Sequence, residues 1–199
     1  MSRTRCDLTM TIDGYVSGPN QRLDAPFGDG PGESLHRWMF DQAEVNAAEV
    51  DGILSGAGAH IMGRNMFSPG RGAWDESWTG WWGPEPPYHA PVFVLTHHER
   101  APVTMQGGTT FHFVTGGIQE ALERARAAAG DADVAIAGGA ATVNQFLAAG
   151  LLDELRLHVV PIVLGGGARL FADIPGVEFE QVASRGTELV THLTYRVAR

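Results

Sequence analysis

The chain contains no lysine; all 14 of its basic residues are arginine. That excludes a phosphate loop built on a lysine, and Schiff-base chemistry with it. Any phosphate held by a side-chain cation must therefore be held by arginine, whose planar fork can grip it with two parallel bonds. A single cysteine, Cys6, excludes an internal disulfide and zinc sites of the multi-cysteine kind. The eight histidines include no HExxH and no other sequence-local ligand set, so no metal is expected. There is no G-x-S-x-G elbow, which argues against a serine hydrolase of the α/β type. No apolar run approaches a membrane span, and Met1-Ser2-Arg3-Thr4-Arg5 leads straight into strand-like residues rather than a signal segment. With a net charge of −9 and scattered arginines, neither a nucleic acid nor an anionic membrane is an expected partner. What remains is a cytoplasmic chain of 199 residues, 44% apolar, long enough for one domain with a full core.

Within it, short apolar runs alternate with helical periodicity. Cys6, Leu8, Met10 and Ile12 fall on one face of a half-buried strand over residues 6–12, ended by Asp13-Gly14. A loop rich in Gly, Pro and Asp runs to about Gly32, and a loop of that length in a compact domain is more often functional than accidental. Leu35, Trp38 and Met39 share a helix face, and Val45, Glu49, Val50, Ile53 and Leu54 have helix-compatible spacing over about Gln42 to Ser55. Strands are expected over 59–62, 91–96 and 110–115, with a helix from Ile118 to Ala129 carrying a Glu120–Arg124 pair. Leu155, Leu157, Val159 and Pro161 alternate in a further strand. The chain closes with an antiparallel hairpin over about 177–183 and 187–197, where Leu189, Leu193, Tyr195 and Val197 share a face. Strands interleaved with helices up to residue 150 imply an α/β domain with a mostly parallel sheet, helices on both faces, and an antiparallel C-terminal edge.

The stretch most suggestive of chemistry is Val134-Ala135-Ile136-Ala137 followed by Gly138-Gly139-Ala140-Ala141-Thr142 and then Val143, Phe146 and Leu147. The first four residues read as a buried strand and the last three as a helix face. Between them lie bare backbone and a threonine whose hydroxyl could cap the helix. A helix start of this kind offers unpaired N–H groups and a partial positive charge, a place to hold a phosphate. Composition does not choose between a dinucleotide and a mononucleotide.

Four stretches, taken in order, resemble the dihydrofolate-reductase-like superfamily, and within it the RibD-type C-terminal reductase domain in stand-alone form. They are Thr11-Ile12-Asp13-Gly14, Met62-Gly63-Arg64-Asn65-Met66-Phe67, Ile136-Ala137-Gly138-Gly139, and the segment from Pro161 through Gly165-Gly166-Gly167 to Leu170-Phe171. The resemblance implies a dihydrofolate-reductase-like fold and hydride transfer from NADPH to a small heteroaromatic, pterin- or pyrimidine-like substrate, as in riboflavin biosynthesis. It also implies a homodimer. Gly63, Arg64 and Asn65 would meet the cofactor pyrophosphate, with Gly138, Gly139, Ala140, Ala141 and Thr142 cradling it and the Gly138–Gly139 bond cis. Thr96 would face the adenosine 2′-phosphate, with His97, His98 and Arg100 as candidate partners. A bifunctional protein of this kind would carry a zinc deaminase half, which one cysteine excludes here.

The substrate end is read less directly. Reducing a C=N bond needs a proton as well as a hydride. Asp13 is the preferred site acid, as substrate anchor or proton relay, and reads equally as an Asx turn. Asp41 and Glu33 lie where dihydrofolate reductases place a carboxylate, without a matching motif. Residues 68–91 hold Trp74, Trp78, Trp81 and Trp82. Trp81 and Tyr88 could form a stacking wall for the substrate, or the cluster could be satellite core or a dimer surface. Gly165 could contact the substrate or serve only its loop. The alternative on the same fold is a protein that binds nucleotides or small molecules without turnover.

Overall fold

A computed structural model describes residues 2–68 and 70–198, apart from the side chain of Leu54, so that residue's expected place on a helix face lies outside the described residues. In chain order the elements are β1 (Thr4–Thr11), β2 (Tyr15–Ser17), a 3-10 turn (Gly32–His36), α1 (Arg37–Phe40), α2 (Ala47–Leu54), β3 (Ala57–Gly63) and α3 (Arg64–Phe67). Then follow β4 (Pro91–Leu95), β5 (Val103–Thr104), β6 (Thr110–Val114), α4 (Gly117–Ala129), β7 (Asp133–Gly138) and α5 (Ala140–Ala148). The chain ends in β8 (Glu154–Val160), β9 (Ala168–Arg169), β10 (Phe179–Gly186) and β11 (Thr191–Val197).

Nine of these strands form one sheet in the order β10-β11-β8-β1-β7-β3-β4-β6-β5. From β8 to β6 every neighbour is parallel, so the ends of β8, β1, β7, β3 and β4 line one edge of the sheet. The C-terminal hairpin adds antiparallel to β8. This is the expected α/β architecture. The strands β2, β5 and β9, two or three residues each, were too short to show a period.

Helices α4 and α5 cover one face through a core containing Leu122, Ala125, Val143, Phe146, Ile136 and Leu155. The 3-10 turn, α1 and α2 cover the other, where Leu35 and Trp38 bury against Val160 and Val190. The aromatic excursion forms a third cluster, in which Trp74, Trp78 and Tyr88 pack against Phe67, Val92 and Phe111.

Three local expectations are corrected. Strand β1 is buried on both faces, because its polar face lies under α1 and α2, where Arg5 and Asp7 form an ion pair at 2.7 Å. Ile12 lies beyond the strand and is exposed. Helix α2 begins at Ala47, leaving Val45 exposed. At the other end of the chain, Leu189 lies in the turn before β11, although Leu193, Tyr195 and Val197 do pack on the main core.

The polar side of the sheet is closed by hydrogen bonds. Asn46 Nδ2 donates to the Trp38 and Gln42 carbonyls, its Oδ1 pairs with His192 Nε2 at 3.0 Å, and the His192 and His158 Nδ1 atoms lie 2.8 Å apart. Burial pushes His36 and His60 down to about 4 each.

Candidate functional site

Because β3 and β7 are adjacent and parallel, their C-terminal ends bring the two glycine turns together at the sheet edge. Gly63 caps α3 in an extended conformation, and Gly139 caps α5. The Gly138–Gly139 bond is cis, and Gly138 has φ 123°, a region in which side-chain-bearing residues are rare. A Cβ on Gly63 would stand 2.6 Å from Thr142 Oγ1, so the two turns touch and glycine is required for their approach. A Cβ on Gly139 would meet nothing within 4 Å, so that turn faces open space.

Thr142 does not cap α5 with its hydroxyl. The cap residue is Gly139, and no side-chain cap bond is present. The Thr142 N–H donates to the Gly139 carbonyl at 3.0 Å, and its side chain is buried against Gly63. The N–H groups of Ala140 and Ala141, in the first turn, are those left to face a ligand.

Arg64 supplies the cation. Its guanidinium carbon lies 3.9 Å from the centre of the Trp74 ring, and the Trp74 Nε1 donates to the His98 carbonyl at 2.8 Å, fixing the ring. Arg64 Nε and Nη2 are buried and have no hydrogen-bond partner among the described residues. Burial, with Arg71 adding to it, holds this guanidinium below its ordinary value, yet arginine remains charged at neutral pH. Buried donors left without an acceptor are costly, and an anion would satisfy both. Asn65 is exposed on the same short helix.

On the far side of β3, two residues of the expected 2′-phosphate group, Thr96 and Arg100, are engaged within the chain, while His97 and His98 are exposed. Thr96 Oγ1 accepts the His98 N–H at 3.1 Å and closes its own turn. Arg100 is buried beside the Phe67, Trp74 and Phe113 rings and donates from Nη2 to the Glu76 and Trp78 carbonyls. Arg71, beside Arg64, is the additional cation the structure brings to this end.

Beyond β1 lies the other end of the edge. Asp13 accepts from the Thr11 hydroxyl, from the Gly165 N–H at 2.7 Å and from the Leu164 N–H at 3.2 Å. The Thr11 bond, with the two backbone bonds, holds the carboxyl below its usual range. It is therefore ionised at neutral pH and bonds as an acceptor; both expected residues, Asp13 and Gly165, meet here. A Cβ on Gly165 or Gly166 would meet open space.

Asp41 is not brought to this edge group. It ends α1 and pairs with Arg37 at 2.7 Å, both side chains about half exposed. Glu33 lies in the first turn of the 3-10 segment. Tyr88 packs on His60 and Phe111, and burial pushes its hydroxyl up to about 12. Trp81 lies edge-on to Trp78 at 4.8 Å. The excursion is thus satellite core for Tyr88, and the tryptophan that reaches Arg64 is Trp74. No local sequence signal separates Trp74 from its neighbours, since only the fold sets it under Arg64.

The family model described as the RibD C-terminal domain matches residues 4–192. The protein named YyaP of Bacillus subtilis (strain 168) is 25% identical over 175 residues, covering 84% of this chain and 79% of that one. A putative riboflavin biosynthesis protein from Shewanella sp. PV-4 superposes with a TM-score of 0.66 at 22% identity, over 99% of each chain. A dihydrofolate reductase from Enterococcus faecalis, solved with NADP(H), superposes with a TM-score of 0.56 at 15% identity over 99% of this chain and 97% of that one. These likenesses confirm the dihydrofolate-reductase-like fold.

Proposed function

The chain belongs to the RibD C-terminal domain family, and we propose that it is an NADPH-dependent reductase of a small heteroaromatic substrate. The observation that carries this reading is the partly buried Arg64 guanidinium, whose Nε and Nη2 are buried and without a partner among the described residues, beside two abutting glycine turns. These residues fit a dinucleotide. Arg64 and the Ala140 and Ala141 N–H groups would hold the pyrophosphate, and Gly139 leaves the backbone bare for close approach. A charge-assisted bond from Arg64 to a phosphate contributes about 1.5–3 kcal/mol. Arg71 gives the same end a second positive charge, which favours the 2′-phosphorylated cofactor over NADH. When bound, the reduced nicotinamide supplies the hydride.

The remaining work falls to the chain's own groups. Asp13, ionised, holds the Leu164–Gly165 backbone and serves as an anchor rather than as an acid. With Asp41 in a surface pair, water at the open Gly165–Gly166 side and Glu33 are the remaining sources of the proton for the substrate nitrogen.

Titration of NADPH and NADH by fluorescence, followed by a screen of pterins, pyrimidines and quinones for cofactor oxidation at about 340 nm, tests the proposal. Tighter binding of NADPH and turnover of one class are expected. Absence of binding to either cofactor refutes the reductase reading, and binding without any turnover favours a sequestering protein.

A further inference from the structure

Residues 161–173 follow β8 across the sheet edge, and such an irregular segment beside a groove would ordinarily be mobile. Here it is tied at each end. Near its start Asp13 takes the Leu164 and Gly165 N–H groups. In the middle, β9 pairs with β2, and the Leu170 N–H donates to the Gly14 carbonyl at 2.9 Å.

At the far end Leu170 is buried in the main core and the Phe171 ring lies 6.0 Å from that of Phe179, and among the described residues the backbone there is tied by one polar side chain. Asn144 lies on α5, one turn beyond the residues that open the helix. Its Oδ1 accepts the Phe171 N–H at 2.9 Å, and its Nδ2 donates to the Arg169 carbonyl at 3.2 Å and the Ala172 carbonyl at 3.3 Å. Both amide donors and an acceptor lone pair are engaged, which fixes the orientation of the amide. The side chain acts on this segment as the peptide of a neighbouring strand would. It does so where the chain needs support, because Phe171 and Asp173 have φ of 62° and 54°, a region disfavoured for side-chain-bearing residues. Aspartate could not replace it. A carboxylate has no donors and would face two carbonyl oxygens.

We propose that Asn144 is a positioning residue that fixes the 164–172 wall to the helix carrying the Gly138–Gly139 turn, and so sets the nicotinamide half of the cofactor site. This rests on the dinucleotide reading above. The wall follows β8, on the opposite side of the Gly138–Gly139 turn from Thr96, so the half of a dinucleotide that extends toward β1 and β8 meets it. The adenosine half does not. The wall also carries Arg169, exposed and with no hydrogen bond or ion pair to its guanidinium among the described residues, whose Nε lies 4.0 Å from where a Gly14 Cβ would stand.

The test compares two ligands and two variants. NADPH and adenosine 2′,5′-bisphosphate, which lacks the nicotinamide half, are titrated by tryptophan fluorescence against the native protein, Asn144→Asp and Asn144→Ala. Affinity for NADPH is expected to fall about tenfold in both variants, while that for the bisphosphate stays within about twofold. Equal loss for both ligands, or loss for neither, overturns the proposal. Hydrogen exchange of the ligand-free proteins gives a second readout, with faster exchange expected over 164–172 and no change in α4. Unchanged exchange in that segment, or faster exchange throughout the chain, also overturns it. If the native protein binds neither ligand, the dinucleotide reading fails by itself, and the exchange comparison still decides the role of Asn144.

Discussion

Replacing Gly63 with alanine should push apart the two turns that form the proposed phosphate seat. The backbone itself would accept alanine, since Gly63 has φ −76° and ψ 156°, ordinary extended values. The difficulty is the neighbour. The new methyl would stand 2.6 Å from Thr142 Oγ1, where ordinary contact needs about 3.5 Å or more. Thr142 is buried and β-branched, so its side chain has little freedom to rotate away. Opening the contact by several tenths of an ångström costs about 1–3 kcal/mol in a well-packed site. Because the displaced elements are the starts of α3 and α5, affinity for NADPH should fall by about tenfold. Thr142→Ala removes the obstructing oxygen, so the double variant should bind better than the sum of the single effects by about 1 kcal/mol. Fluorescence titration of the four proteins measures this cycle, and thermal melts report whether folding suffers in parallel. Additive effects, or native affinity in Gly63→Ala, would refute the account of why this position is glycine.

Other outcomes follow from the same geometry. Arg64→Ala should weaken NADPH binding by about tenfold or more, and unchanged affinity in a titration would remove Arg64 from the phosphate seat. Asp13 is held below the usual carboxylate range, so the stability it contributes is present above that range and is lost only as pH falls through its lowered value. Accordingly, Asp13→Asn should leave the shape of the pH–rate profile between about pH 5 and 8 unchanged, whereas loss of a titrating limb in that range would restore Asp13 as the acid. His36 and His60 are held near 4 by burial, against about 6.5 when unfolded. Stability from each is therefore complete above about pH 6.5 and declines toward pH 4, reaching a loss of about 2 kcal/mol apiece at pH 5. Urea melts at pH 7 and 5 measure it, and a midpoint unmoved between them would contradict the burial of neutral imidazoles.

Much of the architecture was legible in the residues because periodicity and glycine placement are local properties. The Val134–Ala137 strand, the Gly138–Gly139 turn into α5 and the Glu120–Arg124 pair, found at 3.1 Å, each involve neighbours a few positions apart. Those patterns determined the alternation of strands and helices, and the four ordered motifs determined the family. Other features required the tertiary structure. Apolar alternation marked one face of β1 as buried and the other as solvated, but Arg5 and Asp7 neutralise each other under α1 and α2, and paired charges leave no hydrophobic signal. In the chain Asp13 is preferred over Asp41 as an acid only because it falls in a matching motif. Contact with Gly165, 152 positions away, makes one an anchor, while Arg37, four positions away, takes the other to the surface. Among the four clustered tryptophans, only the packing of the excursion beside the parallel strands β3 and β4 places Trp74 beneath Arg64. Local pattern thus determined the elements and the bare backbone that a phosphate needs. Which side chains face that backbone, and with what charge, was decided by contacts that exist only once distant strands lie side by side.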